Sequence, residues 1–273
     1  MTSLFWQRLG LVIIGFFMIS SVQAEGELEA GVAAVKRGDY ETALKNWQPL
    51  AQKGNTNAQT NMGVLYERGW GVPKDYVKAV SWYRLAAEKG NATAQDNLGV
   101  FHERGWGVPQ DFKAAADWYR KAALQGDLNG QNNLGVLHER GQGVPQDIQE
   151  ALRLYRAAAT KGLAQAQNNL GVFYERGRGV AQDYKQAAVW YRRAAEQGNA
   201  AAQNNLGVLY GTGRGMSEDI LQANFWFTLS AAGGSANGAT NRDNTSRRLT
   251  PIQREGVEKL LSEWKARQAG RNS

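Results

Sequence analysis

Cysteine is absent from the 273 residues, histidine occurs 2 times and proline 5 times. Without cysteine there is no disulfide, no cysteine nucleophile and no thiolate metal site. The two histidines, His102 and His138, leave little material for a histidine-ligated metal centre or an imidazole proton relay. The chain also lacks G-x-S-x-G, H-E-x-x-H and a phosphate-binding loop signature. No catalytic residue, cofactor or metal is therefore expected, and the first reading is a protein that is not an enzyme.

Long apolar runs are scarce too. The main one, residues 9–19, spans 11 residues, follows Arg8 and precedes Ser20, Ser21 and the triplet Val22-Gln23-Ala24. This order of positive, apolar and small-residue regions is that of a cleavable secretion signal over 1–24. A helix of that length covers about half of the roughly 30 Å hydrocarbon core, which disfavours a membrane anchor. The expectation is a mature chain from Glu25 onward with no transmembrane helix, exported across an inner membrane and most simply periplasmic. No cysteine follows the cleavage point, so a lipoprotein anchor is not expected.

What the chain does have is glycine, 32 residues of it, and a period. Shifted by 36 residues the sequence aligns on itself in five gapless units, 55–90, 91–126, 127–162, 163–198 and 199–234. Self-similarity at such a period marks a solenoid. In the most regular unit Ala166, Leu170, Phe173 and Tyr174 lie on one face of a first helix, which Gly177-Arg178-Gly179 ends. Asp183 then opens a second helix as a capping carboxylate, and Ala187, Trp190, Tyr191, Ala194 and Ala195 form its buried face. Glycine recurs mid-helix at 63, 99, 135, 171 and 207. That placement costs about 1 kcal/mol in propensity and implies close approach by another backbone. Residues 25–54 read as a shortened N-terminal capping hairpin without the G-x-G turn. Residues 235–268 read as C-terminal capping helices, the last opened by Thr250-Pro251-Ile252-Gln253, and residues 269–273 as a disordered tail. No strand pattern occurs, so the fold class is all-α: a solenoid of helical hairpins that must stack to bury their faces.

The string A-x-x-x-L-G-V-x-Y-x-x-G-x-G-V-x-x-D-x-x-x-A-x-x-W-Y-x-x-A-A-x-x-G resembles the Sel-one-like repeat, a relative of the tetratricopeptide repeat with a longer loop between its helices. The resemblance implies a right-handed α/α superhelix that acts as a protein–protein interaction scaffold, often in bacterial envelopes. It implies partners among envelope or membrane-sensor proteins, held through extended peptide segments on a concave face lined by the first helices. An alternative is binding of peptidoglycan or other cell-wall material, or weak β-lactam or cell-wall hydrolysis. The cysteine-rich members linked to such activity have no counterpart in this cysteine-free chain.

The candidate ladder on the first helices is Asn61, Asn97, Asn133, Asn169 and Asn205, followed seven residues later by Arg68, Arg104, Arg140 and Arg176. An amide offers both donor and acceptor to a peptide backbone, and guanidinium recognises carboxylate or phosphate. The competing reading is structural, with each Asn bonded to the neighbouring unit's backbone and each Arg paired locally with the adjacent glutamates. Gln59, Gln95, Gln131, Gln167 and Gln203 are assigned to packing between units. Trp70 and Trp106, where later units have Gln142, Arg178 and Arg214, either form an exposed aromatic patch or fold back over the helix ends. His102 and His138 stand where other units carry tyrosine and read as half-buried structural residues.

The net charge of +7 is unevenly placed: residues 235–273 hold eight Lys/Arg against four Asp/Glu. A nucleic-acid binder would spread a basic stripe along its working surface, so nucleic acid is not the expected partner. A C-terminal contact with anionic lipid, wall polymer or an acidic protein fits better.

Overall fold

A computed structural model describes residues 23–271, and every regular element among them is a helix. The expected signal over 1–24 lies almost wholly outside the described residues. Helix α1 is described over 23–36 and α2 is Tyr40–Gln52. Five hairpins follow: α3 Thr56–Arg68 with α4 Tyr76–Glu88, α5 Ala92–Arg104 with α6 Phe112–Leu124, and α7 Leu128–Arg140 with α8 Ile148–Thr160. Then come α9 Ala164–Arg176 with α10 Tyr184–Glu196 and α11 Ala200–Thr212 with α12 Ile220–Ala232. Two further helices close the chain, α13 Ala236–Ser246 and α14 Pro251–Arg271. None of the described helices is long and apolar enough to cross a membrane. The chain divides into two compact units, one reaching Gly130 and including residues 142–144, the other made of Gln131–Gly141 and everything from Pro145 on.

In the first unit, α5 and α6 show how sequence makes a hairpin. Asn91 caps α5 through its side-chain oxygen, which accepts from the Ala94 amide at 2.9 Å. Gly105 ends α5 in the left-handed region, and Gly107 takes a φ of 67° in the turn. A Cβ on Gly107 would lie 2.5 Å from the Tyr76 carbonyl, so this turn seats directly on the backbone that starts α4. Asp111 then caps α6, its carboxylate accepting from the Lys113 and Ala114 amides at 2.9 and 3.0 Å. The same aspartate cap recurs at Asp75, Asp147, Asp183 and Asp219.

The mid-helix glycine answers to a side chain rather than a backbone. A Cβ on Gly99 would stand 2.6 Å from the Tyr119 ring, and the equivalents at 63, 135, 171 and 207 face Tyr83, Tyr155, Tyr191 and Phe227. The close backbone approach expected there belongs instead to the second glycine of the turn. Tyr119 is fully buried, and burying such a ring contributes on the order of 2 kcal/mol. The glycine's loss of helix propensity thus makes the space for a larger gain. The N-terminal hairpin repeats the device with Trp47 over Gly31, the indole N–H donating to the Leu28 carbonyl at 3.0 Å.

In the second unit α12 is covered by α13 and α14. Asn224 donates to the Arg242 carbonyl at 3.0 Å and to the Thr245 hydroxyl at 2.8 Å, tying α13 down. Thr250 and Gln253 form a reciprocal capping box at the start of α14, with distances of 2.9 and 3.3 Å. Val257 is buried from that helix, and Trp264 meets Phe225 and Trp226 edge-on. Helix α14 runs to Arg271, which corrects the disordered tail expected from 269 for the residues described. Lys265, Ala266, Arg267, Gln268 and Ala269 are all good helix formers and carry the helix forward.

Candidate functional site

The first helices place their Asn half-buried; four of the five carry an exposed Arg near the C-terminus, as for Asn61 with Arg68, Asn97 with Arg104, Asn133 with Arg140 and Asn169 with Arg176, while α11 has Asn205 with Thr212. In the second unit the ladder amides join neighbouring hairpins. Asn169 donates to Asn132 at 2.9 Å, Asn205 to Asn168 at 3.1 Å, and Asn241 to Asn204 at 2.9 Å. The rungs are therefore pairs of adjacent asparagines, and the partner of each is the preceding hairpin's side chain. Asn132, Asn168, Asn204 and Asn241 were not singled out from sequence. The signal was present, since doubled asparagines at 132–133, 168–169 and 204–205 sit 36 residues apart. Each amide has two donors and an acceptor with two lone pairs, so one inter-hairpin bond leaves capacity for a ligand.

The arginines are held locally in the first unit. Arg68 lies 3.5 Å from Glu67, and Arg104 stacks over the Trp106 ring at 4.8 Å. In the second unit Arg140 and Arg176 are exposed on α7 and α9.

The tryptophan patch needs correction. Trp70 and Trp106 are half-buried, each lying flat on the tyrosine that opens the preceding hairpin's second helix. The ring centroids are 4.9 Å apart for Trp70 on Tyr40 and 5.0 Å for Trp106 on Tyr76. Offset stacking of large rings gains more than exposing them to water, so the turn folds back over the helix end. Arginine does the same work later, Arg214 over the Tyr184 ring at 5.6 Å. Arg178 lies over Phe173 at 5.2 Å and pairs with Glu139.

The glutamines act between helices: Gln95 donates to the Ala87 carbonyl at 3.0 Å and accepts from Gln125 at 2.7 Å. Gln167 and Gln197 repeat that arrangement in the second unit. The recurring glutamates are engaged by the buried tyrosines. The Tyr83, Tyr119 and Tyr155 hydroxyls donate to Glu67, Glu103 and Glu139 at 2.7, 2.6 and 2.7 Å, and Tyr191 bonds Glu175 likewise. Burial first, then the bonded carboxylate, pushes the Tyr83, Tyr119 and Tyr191 hydroxyls far above the usual phenol range. His102 is half-buried, and its pKa is lowered by burial and then by Arg84, against an opposing pull from Asp111. Among the described residues no group of three or more His, Asp or Glu is arranged to hold a metal.

Comparison with known proteins identifies the unit. A family model described as Sel1 repeat matches at 27–55, 56–91, 92–127, 128–163, 164–199 and 200–235. A crystal structure of a Sel1 repeat protein from Oxalobacter formigenes is 35% identical, with a TM-score of 0.71, over 78% of this chain and 84% of that one. The immunity protein PA5088 of Pseudomonas aeruginosa shares the fold at 22% identity and a TM-score of 0.57, over 79% of this chain and 83% of its own. The DAP3-binding cell death enhancer 1 of Rattus norvegicus is 42% identical over 50 residues, 18% of this chain and 10% of the relative. The chain thus spans about a tenth of that curated relative's length.

Proposed function

The chain belongs to the Sel1 repeat family, whose members are protein–protein interaction scaffolds, and we propose that this one is an exported, periplasmic member. It binds extended peptide segments of envelope or membrane-sensor proteins along the first-helix face of its hairpins. The observation that carries this reading is the row of asparagine rungs in the second unit with exposed arginines on two of its helices, α7 and α9. Bonding between rungs fixes the amide planes, so the remaining donors and acceptors face a ligand without first losing side-chain freedom. Exposed guanidinium groups add attraction for acidic side chains along the segment.

The test is a pull-down from an envelope extract with the wild-type chain and an Arg140→Gln/Arg176→Gln variant. Both arginines are exposed, so the variant keeps its helical circular dichroism. Loss of a saturable protein partner in the variant supports the reading. Undiminished capture of every partner sinks it. Sedimentation with purified peptidoglycan, lost in the variant while protein capture is unchanged, would instead favour a cell-wall ligand.

A further inference from the structure

A cavity of about 320 Å³ opens in the second unit among α10, α12 and α14. It stands at the small end of ligand pockets, which run from roughly 300 to 1,000 Å³. Its walls combine Trp264, Phe225 and Trp226 with Arg192, Arg267 and Glu196. A second cavity of about 590 Å³ shares Glu196, Trp264 and Gln268 with the first, so the two flank the same three side chains.

Three features distinguish this place from the equivalent surface of α10. Trp226 occupies the repeat position of Trp190, yet it is 4% exposed while Trp190 is half-buried. The covering helix α14 supplies Trp264, 5.6 Å from Trp226 and 6.0 Å from Phe225 between ring centroids. The Trp226 indole N–H is buried and finds no acceptor among the described residues, whereas the Trp47 indole has one. A buried donor without an acceptor is a standing cost of the fold. Arg192 is held from the side by the Tyr210 hydroxyl and ring, and Arg267 lies over the Trp264 ring at 5.8 Å. Both guanidiniums are thereby positioned without a carboxylate partner among the described ion pairs.

We propose that this cavity captures the free C-terminal end of a partner peptide whose last residue carries a large apolar side chain. The side chain lies against the Trp264 ring. Its terminal carboxylate is taken by Arg192 and Arg267, and its amide N–H faces Glu196. The acid among the cations separates this ligand from a simple anion. Phosphate or sulfate would meet the Glu196 carboxylate with repulsion, whereas a peptide end offers a donor and an acceptor side by side. The proposal rests on the peptide-binding reading above but uses a different surface and a different part of the ligand.

The experiment titrates the full chain with Ala-Ala-Phe as the free acid, following tryptophan fluorescence, which Trp226 and Trp264 make sensitive to this cavity. The same titration uses the C-terminal amide and the Arg267→Gln and Arg192→Gln variants, with circular dichroism as the check on folding. The free acid is expected to saturate the signal, the amide to bind roughly tenfold or more weakly, and each variant to lose that difference, as for removal of a charge-assisted bond. No saturable change with the free acid, or equal binding of acid and amide, overturns the proposal. Full retention of free-acid affinity in both variants overturns it too. The Arg140→Gln/Arg176→Gln variant keeps its tripeptide affinity if the two surfaces are separate. Failure at this cavity alone therefore leaves the pull-down result standing, and the two failures are read from different variants.

Discussion

Four hairpins and the fifth solve the same packing problem with different chemistry. In α3–α4, α5–α6, α7–α8 and α9–α10 a tyrosine ring lies over the mid-helix glycine and its hydroxyl donates to a glutamate. In α11–α12 the ring is Phe227, and the glutamate position is Gly211. Hydroxyl and carboxylate have vanished together, while the ring against Gly207 remains. The ring-on-glycine contact is therefore the constant of the hairpin, and the polar pair is an addition that stays only as a pair. The reason is the cost of a buried hydroxyl without an acceptor, on the order of 1–3 kcal/mol.

The largest effect should come from the constant. Gly99→Ala forces a methyl to within 2.6 Å of the Tyr119 ring, and overpacking of this kind costs about 3 kcal/mol in urea unfolding. Gly211→Ala is the control. Among the described residues its Cβ would meet only Ala223, at 3.4 Å, so it should be neutral or stabilising by up to about 1 kcal/mol. Equal losses at both sites would erase the distinction between the two glycines.

A smaller effect separates the pair from its members. Glu103→Ala should cost about 1–3 kcal/mol by stranding the Tyr119 hydroxyl, and adding Tyr119→Phe should recover most of it. The fifth hairpin gives the mirror experiment: Phe227→Tyr destabilises alone, and Gly211→Glu restores it. Additive losses in either double variant would show that the hydroxyl and carboxylate are not coupled.

The smallest effect concerns proton binding, and its loss shows only in alkali. The folded tyrosines at 83, 119, 155 and 191 hold their protons more tightly than in the unfolded chain. That contribution is fully present below the ordinary phenol value of about 10 and is lost as pH rises toward the raised folded value. Stability should fall above pH 10, with these four tyrosines ionising only on unfolding. Tyr119→Phe should flatten the slope, whereas Phe227→Ala, with no proton to lose, should lower stability without changing it. Tyrosinate absorbance followed against circular dichroism decides this.

Much of the fold was legible because its signals are local. The aspartate caps and the Thr250–Gln253 box involve partners three residues apart or fewer, and the left-handed turn glycines answer to their own φ. Elsewhere the deciding contact lay outside the helix itself, on the partner helix for Gly99 and one hairpin away for Trp70 and Trp106. The spacing of Gly99 showed that something came close, but a ring and a backbone leave the same mark in a sequence. For Trp70 and Trp106 both exposure and folding back stayed open, because nothing nearby in sequence covers them. Tyr40 and Tyr76, each 30 residues earlier, do.

The sequence by itself determined the period, the helix ends and most of each buried face, since these depend on backbone conformation and side-chain type within a few residues. Only the tertiary structure decided which asparagine bonds to which, which tryptophans are covered, and that α14 closes a cavity with Arg192 and Arg267 on its wall. Those outcomes turn on ångström-scale distances between stacked helices. A hydrogen bond is lost within a few tenths of an ångström beyond its range, and a repeat spacing of 36 does not carry that precision.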